Sequence, residues 1–238
     1  SYLLNDQTRL SKHLAPNIDW LTNSLGNAPD MITREVVIGT QVVEVVFLEE
    51  LVAKDIINDL LYGLMVDTNT LYAKKANLFD FVKEKTLNFG QIKELSTLGE
   101  CLEAVLFGDT LVFFEGCSMA LGIDTKSWVA RNIEEAKIEG VLRGPRDAFN
   151  ENIMTNLSLI RRRIKDPNLW IYRTNLGART KTSILVLYLK DIANPEVFDE
   201  ILARLNKVNI DGILESGMLE QLIEGSRSPF RRKVYYFS

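Results

Sequence analysis

Residues 46–61, VFLEELVAKDIINDLL, and residues 187–202, LYLKDIANPEVFDEIL, superimpose without a gap. Phe47 falls on Tyr188, Leu48 on Leu189, Glu50 on Asp191 and Leu51 on Ile192. Further along, Ile56, Ile57, Leu60, Leu61 and Leu64 fall on Val197, Phe198, Ile201, Leu202 and Leu205, one apolar face of a 3.6-residue period in each case. The pattern predicts a strand feeding an amphipathic helix, twice. Any strand followed by such a helix aligns loosely, so the alternative to a true repeat is coincidence.

Working outward, REVVIGTQVVEVVFLEEL reads as two strands around Gly39-Thr40, a hairpin signal. The stretch before it, NIDWLTNSLGNAPD, reads as a short helix stopped by Gly26 and Pro29. After the Ile56–Leu64 helix come a second helical stretch near 78–87, a short strand in QIKEL, and a helix capped at Ser96 or Thr97 that stops at Gly108. DTLVFFEGCSMALGID then reads as a second hairpin turning at Gly116. The remainder reads as a helix over 150–164, a hairpin over 169–189, a helix over 196–205, a strand in IDGIL and a helix in GMLEQLIEG. Without a clean βαβ alternation, the expected fold class is α/β of the mixed α+β kind. It comprises two related lobes, 1–128 and 129–238, joined by a crossover at about 125–149 with a cleft between them. Ligands commonly bind at such junctions, and Trp128, Trp170 and Tyr188 are the aromatic candidates there.

The composition, with a net charge of −4, is that of an ordinary folding domain and argues against a broad nucleic-acid footprint. Two cysteines, Cys101 and Cys117, imply no disulfide framework. No window reaches the roughly 18 apolar residues of a membrane span, and the start SYLLNDQTRLSKHL is neither a signal nor a transit peptide. The end, RRKVYYFS at 231–238, follows no helix or strand pattern and reads as a truncation or an appended tail. Catalytic signatures are missing: His13 is the one histidine, a zinc ligand cluster has no source, and there is no P-loop or dinucleotide fingerprint. No metal, cofactor or catalytic residue is expected.

The densest stretch is GPRDAFNENIMTNLSLIRRRIKDP, 144–167. On a helix, Ile153, Leu157, Ile160 and Ile164 fall in a stripe about 60° wide. Arg162 points away from that stripe, while Arg161 and Arg163 flank it on opposite sides. Three consecutive arginines therefore cannot converge on one phosphate. Two readings stand: cations complementing the helix macrodipole before the Asp166-Pro167 stop, or separate contacts. In the second reading Arg161 and Arg163 pair with acidic groups inside a lobe or across the cleft, and Arg162 reaches another subunit. Arg146 and Asp147, in the Gly-Pro turn before the helix, read as a local ion pair or as part of a stiff, shaped loop whose helix N-terminus meets an anion or a partner's carboxylate.

The block RGPRDAFNENIMTNLSLIRRRIKDPNLWI, the hairpin GARTKTSILVLYLKDIANPEV and the close ILARLNKVNIDGILESGMLEQLIE with SPF resemble the A subunit of GerA-type spore germinant receptors. The likeness is strongest over 131–230. It implies a hydrophilic, non-enzymatic N-terminal domain on the cytoplasmic side of the spore inner membrane, joined in the parent protein to membrane-spanning segments. It further implies B and C subunits as partners, and a role in nutrient sensing that ends in ion release. Self-association in the receptor and binding of a small nutrient stay open. Arg146, Asp147, Arg161, Arg162 and Arg163 are the expected packing and subunit contacts, with 140–149 as the expected hinge. The departure from the family pattern is the ending after Phe230.

Overall fold

The computed structural model describes residues 2–66, 77–127, 153–177, 179, 181–207 and 235–237. Its first portion is built on a five-stranded antiparallel sheet in the order β1-β2-β4-β5-β3. Strands β1 (Met31–Ile38) and β2 (Gln41–Leu48) form the hairpin expected around Gly39-Thr40. Strand β4 (Asp109–Phe114) pairs with β2 and with β5 (Ala120–Asp124), which carries β3 (Ile92–Leu95) on its far side. All six β4 residues are buried, because both faces of the sheet are covered.

Helices α1 (Leu14–Ser24) and α4 (Leu98–Leu106) cover one face, burying Leu21, Leu102, Val105 and Leu106 against Val46, Leu48 and Leu111. Helices α2 (Lys54–Val66) and α3 (Leu78–Thr86) cover the other, where Ile57, Leu60, Leu64 and Val82 meet Val43, Val45 and Val112. The α4 cap is Thr97: its hydroxyl accepts from the Glu100 amide, and the Glu100 carboxylate accepts from the Thr97 and Ser96 amides.

The second portion repeats the plan. Helix α5 (Ile153–Arg163), strands β6 (Leu169–Leu176) and β7 (Thr182–Leu189) and helix α6 (Pro195–Lys207) have the same lengths as α1, β1, β2 and α2. Leu157 of α5 packs on the Leu185 and Leu187 face of β7, and Ile201 and Leu205 of α6 pack on the Ile184 and Val186 face. Backbone bonds recur too: the Glu49 amide donates to the Asp30 carbonyl at 2.8 Å, and its equivalent Lys190 donates to Asn168 at 2.9 Å. The two β-hairpins have strands of equal length and turns of two residues against five.

One expectation is corrected. Tyr235–Phe237, read from sequence as patternless, forms strand β8, antiparallel to Leu185–Leu187. A three-residue run is too short to show a period, but tyrosine and phenylalanine favour pleated pairing and β7 offers an edge. β8 occupies the position on β7 that β4 occupies on β2, with Tyr236 opposite Val186 as Val112 is opposite Val45. The strand expected in 210–214, the helix after it and the 125–149 crossover lie wholly or largely outside the described residues.

Candidate functional site

The arginine helix meets the first portion through Arg161. Its Nε donates to Asp30 Oδ2 at 2.9 Å and its Nη2 to Asp30 Oδ1 at 2.8 Å, a bidentate pair with both side chains fully buried. Asp30 is held in place by the loop from α1 to β1, whose carbonyl is fixed by the Glu49 amide. Planar guanidinium geometry suits this two-point contact, which lysine cannot reproduce. The Nη1 of Arg161 is buried with no hydrogen-bond partner, so even this pair leaves one donor unmatched. Arg161 therefore acts as an ion-pair partner 131 residues from its carboxylate, not as a solvated cation at a helix end. Arg162 is half-buried and Arg163 exposed, and both are engaged in other interactions.

Two further contacts flank the pair. The Trp170 ring lies on the backbone of Gly26, at φ +64°, where an added Cβ would sit 2.3 Å from a ring carbon. Only glycine satisfies both the left-handed backbone and this close approach. Lys165 places its ammonium 4.0 Å from the centre of the Phe107 ring. Burial, with repulsion from Lys126, holds the Lys165 ammonium below the usual lysine range, against the opposing pull of Asp109. Asp109 is itself fully buried and accepts from Lys93 at 3.0 Å and Lys126 at 2.7 Å.

Beside Trp170 is a surface cleft of about 250 Å³ lined by Leu3, Trp20, Asn23, Ser24, Asn168, Trp170 and Lys190. Lys190 lies over the Trp170 ring at 4.1 Å, and Trp170 Nε1 is buried without a partner. Tyr188 is not part of this lining; its ring packs on Trp170 at 6.2 Å and on Phe198 at 4.2 Å. Arg146, Asp147 and Trp128 lie outside the described residues. Asp30 and Gly26 were missed in sequence, since GNAPD reads only as a helix stop. Among the described residues no group of three metal-ligating side chains occurs, and no helix is long and apolar enough to cross a membrane.

Residues 19–235 match the family described as Bacillus/Clostridium GerA spore germination protein. The chain belongs to the GerA family. Spore germination protein KA of Bacillus subtilis is 35% identical over 218 residues, covering 90% of this chain and 40% of the relative. Stage V sporulation protein AF of the same organism is 31% identical over 229 residues, 94% of this chain and 46% of the relative. This GerA-family chain thus spans less than half the length of either. Among solved structures, the N-terminal domain of the A subunit of the Bacillus megaterium spore germinant receptor GerK3 matches with a TM-score of 0.72 at 30% identity, over 94% of this chain and 83% of that one. The A-subunit resemblance read from the arginine block therefore holds, and the mixed α/β fold is that of the GerK3 domain.

Proposed function

We propose that this chain is the N-terminal domain of a germinant-receptor A subunit, on the cytoplasmic side of the spore inner membrane. It serves there in subunit assembly and in coupling nutrient detection to ion release, with the B and C subunits as partners and no chemistry of its own. The assignment draws on the match to the GerK3 domain, and the coupling role on the buried Arg161–Asp30 pair. Coupling requires two arrangements with different partner contacts. A helix that commits one arginine to an internal carboxylate and turns its neighbours elsewhere supplies an element on which partner contacts bear. Arg162 and Arg163, with Arg146 and Asp147 at the helix approach, are the subunit contacts in this reading.

The test is charge reversal, Arg162→Glu and Arg163→Glu, in the intact receptor. Loss of receptor accumulation or of nutrient-triggered germination, with the 238-residue chain still folded, is the expected result. Normal accumulation and normal germination in both variants refute the contact role.

A second reading, direct binding of a small nutrient between two lobes at 1–128 and 129–238, is favoured by the cleft beside Trp170. It combines an indole wall, an ammonium and the polar groups of Asn23, Ser24 and Asn168, the mixture a small polar solute requires. Thermal stability against amino acids, sugars and nucleosides tests it: a ligand at 100 times its Kd adds about 2.7 kcal/mol. A saturable shift removed by Trp170→Leu supports the reading, and no shift at any concentration refutes it.

A further inference from the structure

The two repeated portions differ sharply at one place. In the second, Trp170, Tyr172, Tyr188 and Phe198 form a run of ring contacts, Trp170 on Tyr188, Tyr188 on Phe198 and Phe198 on Tyr172. In the first, the equivalent positions hold Ile32, Arg34, Phe47 and Ile57, as the strand registers and helix bounds require: Ile32 is opposite Phe47 as Trp170 is opposite Tyr188. Three of the four rings are gone. What remains is a cavity of about 170 Å³ between the start of β1, the end of β2 and the first two turns of α2. In the second portion four rings in mutual contact occupy the corresponding positions, so the fold itself does not dictate small side chains there.

The lining has two parts. Ile32, Phe47, Val52, Ile57 and Leu61 make apolar walls, and Arg34, Glu49, Lys54 and Asn58 supply polar groups. Lys54 lies 3.7 Å from Glu49, so one cation is balanced and Arg34 gives the polar side a net positive charge. The positive end of α2, which begins at Lys54, adds to it. A space of this size takes a fragment of roughly ten non-hydrogen atoms, smaller than the ligand of an ordinary drug-sized pocket.

We propose that this cavity is a binding site for a small organic anion: a carboxylate held by Arg34, with a single ring or branched aliphatic body standing where the second portion places its own rings. It is separate from the cleft beside Trp170 and shares no residue with it.

The experiment is methyl NMR titration of the 238-residue chain with phenylacetate, and with phenylacetamide as the uncharged counterpart. Saturable shifts at Ile32, Ile57 and Leu61 are expected, with the amide bound at least about tenfold more weakly, in keeping with a charge-assisted hydrogen bond. Arg34→Gln, at an exposed position that cannot unfold the domain, should weaken phenylacetate about tenfold. Ile57→Phe, which restores one ring of the second portion, should abolish binding. The proposal fails if no saturable shift occurs, if the amide binds as well as the acid, if Arg34→Gln leaves the affinity unchanged, or if the shifts fall on the Leu3 methyls in the cleft beside Trp170 instead.

Discussion

Replacing Arg161 by methionine keeps an unbranched apolar stem and removes the charge, leaving Asp30 fully buried with two unpaired carboxylate oxygens. Removing one partner of a buried pair costs about 3–5 kcal/mol, because the remaining ion has neither water nor a counter-charge. Asp30→Leu should cost a similar amount by stranding the guanidinium, which already carries one unmatched N–H. The double variant tells more. With both charges gone no ion is stranded, and apolar replacement of buried pairs is often neutral or stabilising. The losses should therefore fail to add, by several kcal/mol. Urea denaturation followed by tryptophan fluorescence is the assay, since Trp20 and Trp170 line the cleft where the two portions meet. If Arg161→Met stays within about 1 kcal/mol of the parent, or if the double variant loses the sum of the singles, the pair is not the buried, desolvated lock described above.

Four other outcomes are expected. Gly26→Ala should lose about 2–4 kcal/mol, from the strained positive φ together with the clash at 2.3 Å, and Trp170→Leu in the same chain should recover part of that loss in thermal melting. Thr97→Ala should cost about 1 kcal/mol by opening the α4 cap. The Ser96 and Thr97 hydrogen bonds hold the Glu100 carboxyl below its ordinary range, outweighing burial, so its contribution is present above the unfolded pKa and is lost as pH falls through the folded one. Glu100→Gln should flatten that acid-side loss in a stability-versus-pH series. Glu44 faces Glu35 directly across the β1–β2 ladder, and burial, then Glu35, push its carboxyl up. Glu44→Gln should therefore stabilise the chain by a few tenths to about 1 kcal/mol at neutral pH, with the gain vanishing below the ordinary carboxylate pKa, as equilibrium unfolding at two pH values would show.

Much of the fold was legible because the signals were periodic or positional. The apolar faces of α2 and α6, the Gly39-Thr40 turn and the Thr97–Glu100 cap are each fixed by residues within a few positions of one another. The strand at 235–237 was illegible for the opposite reason: its existence depends on the edge of β7, some 50 residues earlier in the chain. The same distinction divides the site. That Arg161 flanks the apolar stripe follows from helix geometry, but that its partner is Asp30 depends on how two halves pack, which no local pattern carries. The cavity beside Ile57 is subtler, because it is visible only when each residue is compared with its repeat counterpart.

That comparison also bears on how the halves are joined. Arg161 and Asp30 correspond, across the repeat, to Thr22 and Asn168. Were the junction symmetric, α1 would lock onto the Asn168 loop as α5 locks onto the Asp30 loop. It does not: the Thr22 hydroxyl donates to its own helix at the Ile18 carbonyl, and Asn168 donates to Asp166 within its own turn. The backbone bond beneath each position is kept, 49 to 30 and 190 to 168, while the side chains above have diverged. One side of the junction is thus closed by a desolvated ion pair, and the other, where α1 faces Asn168 and Lys190, is left as the cleft. Any motion between the halves should therefore change the cleft first and leave the Arg161–Asp30 distance nearly fixed. Spin-label distances across each side, in the proposed receptor with and without nutrient, would show the cleft distance moving and the ion-pair distance constant. Equal changes on both sides would mean that the pair is no pivot.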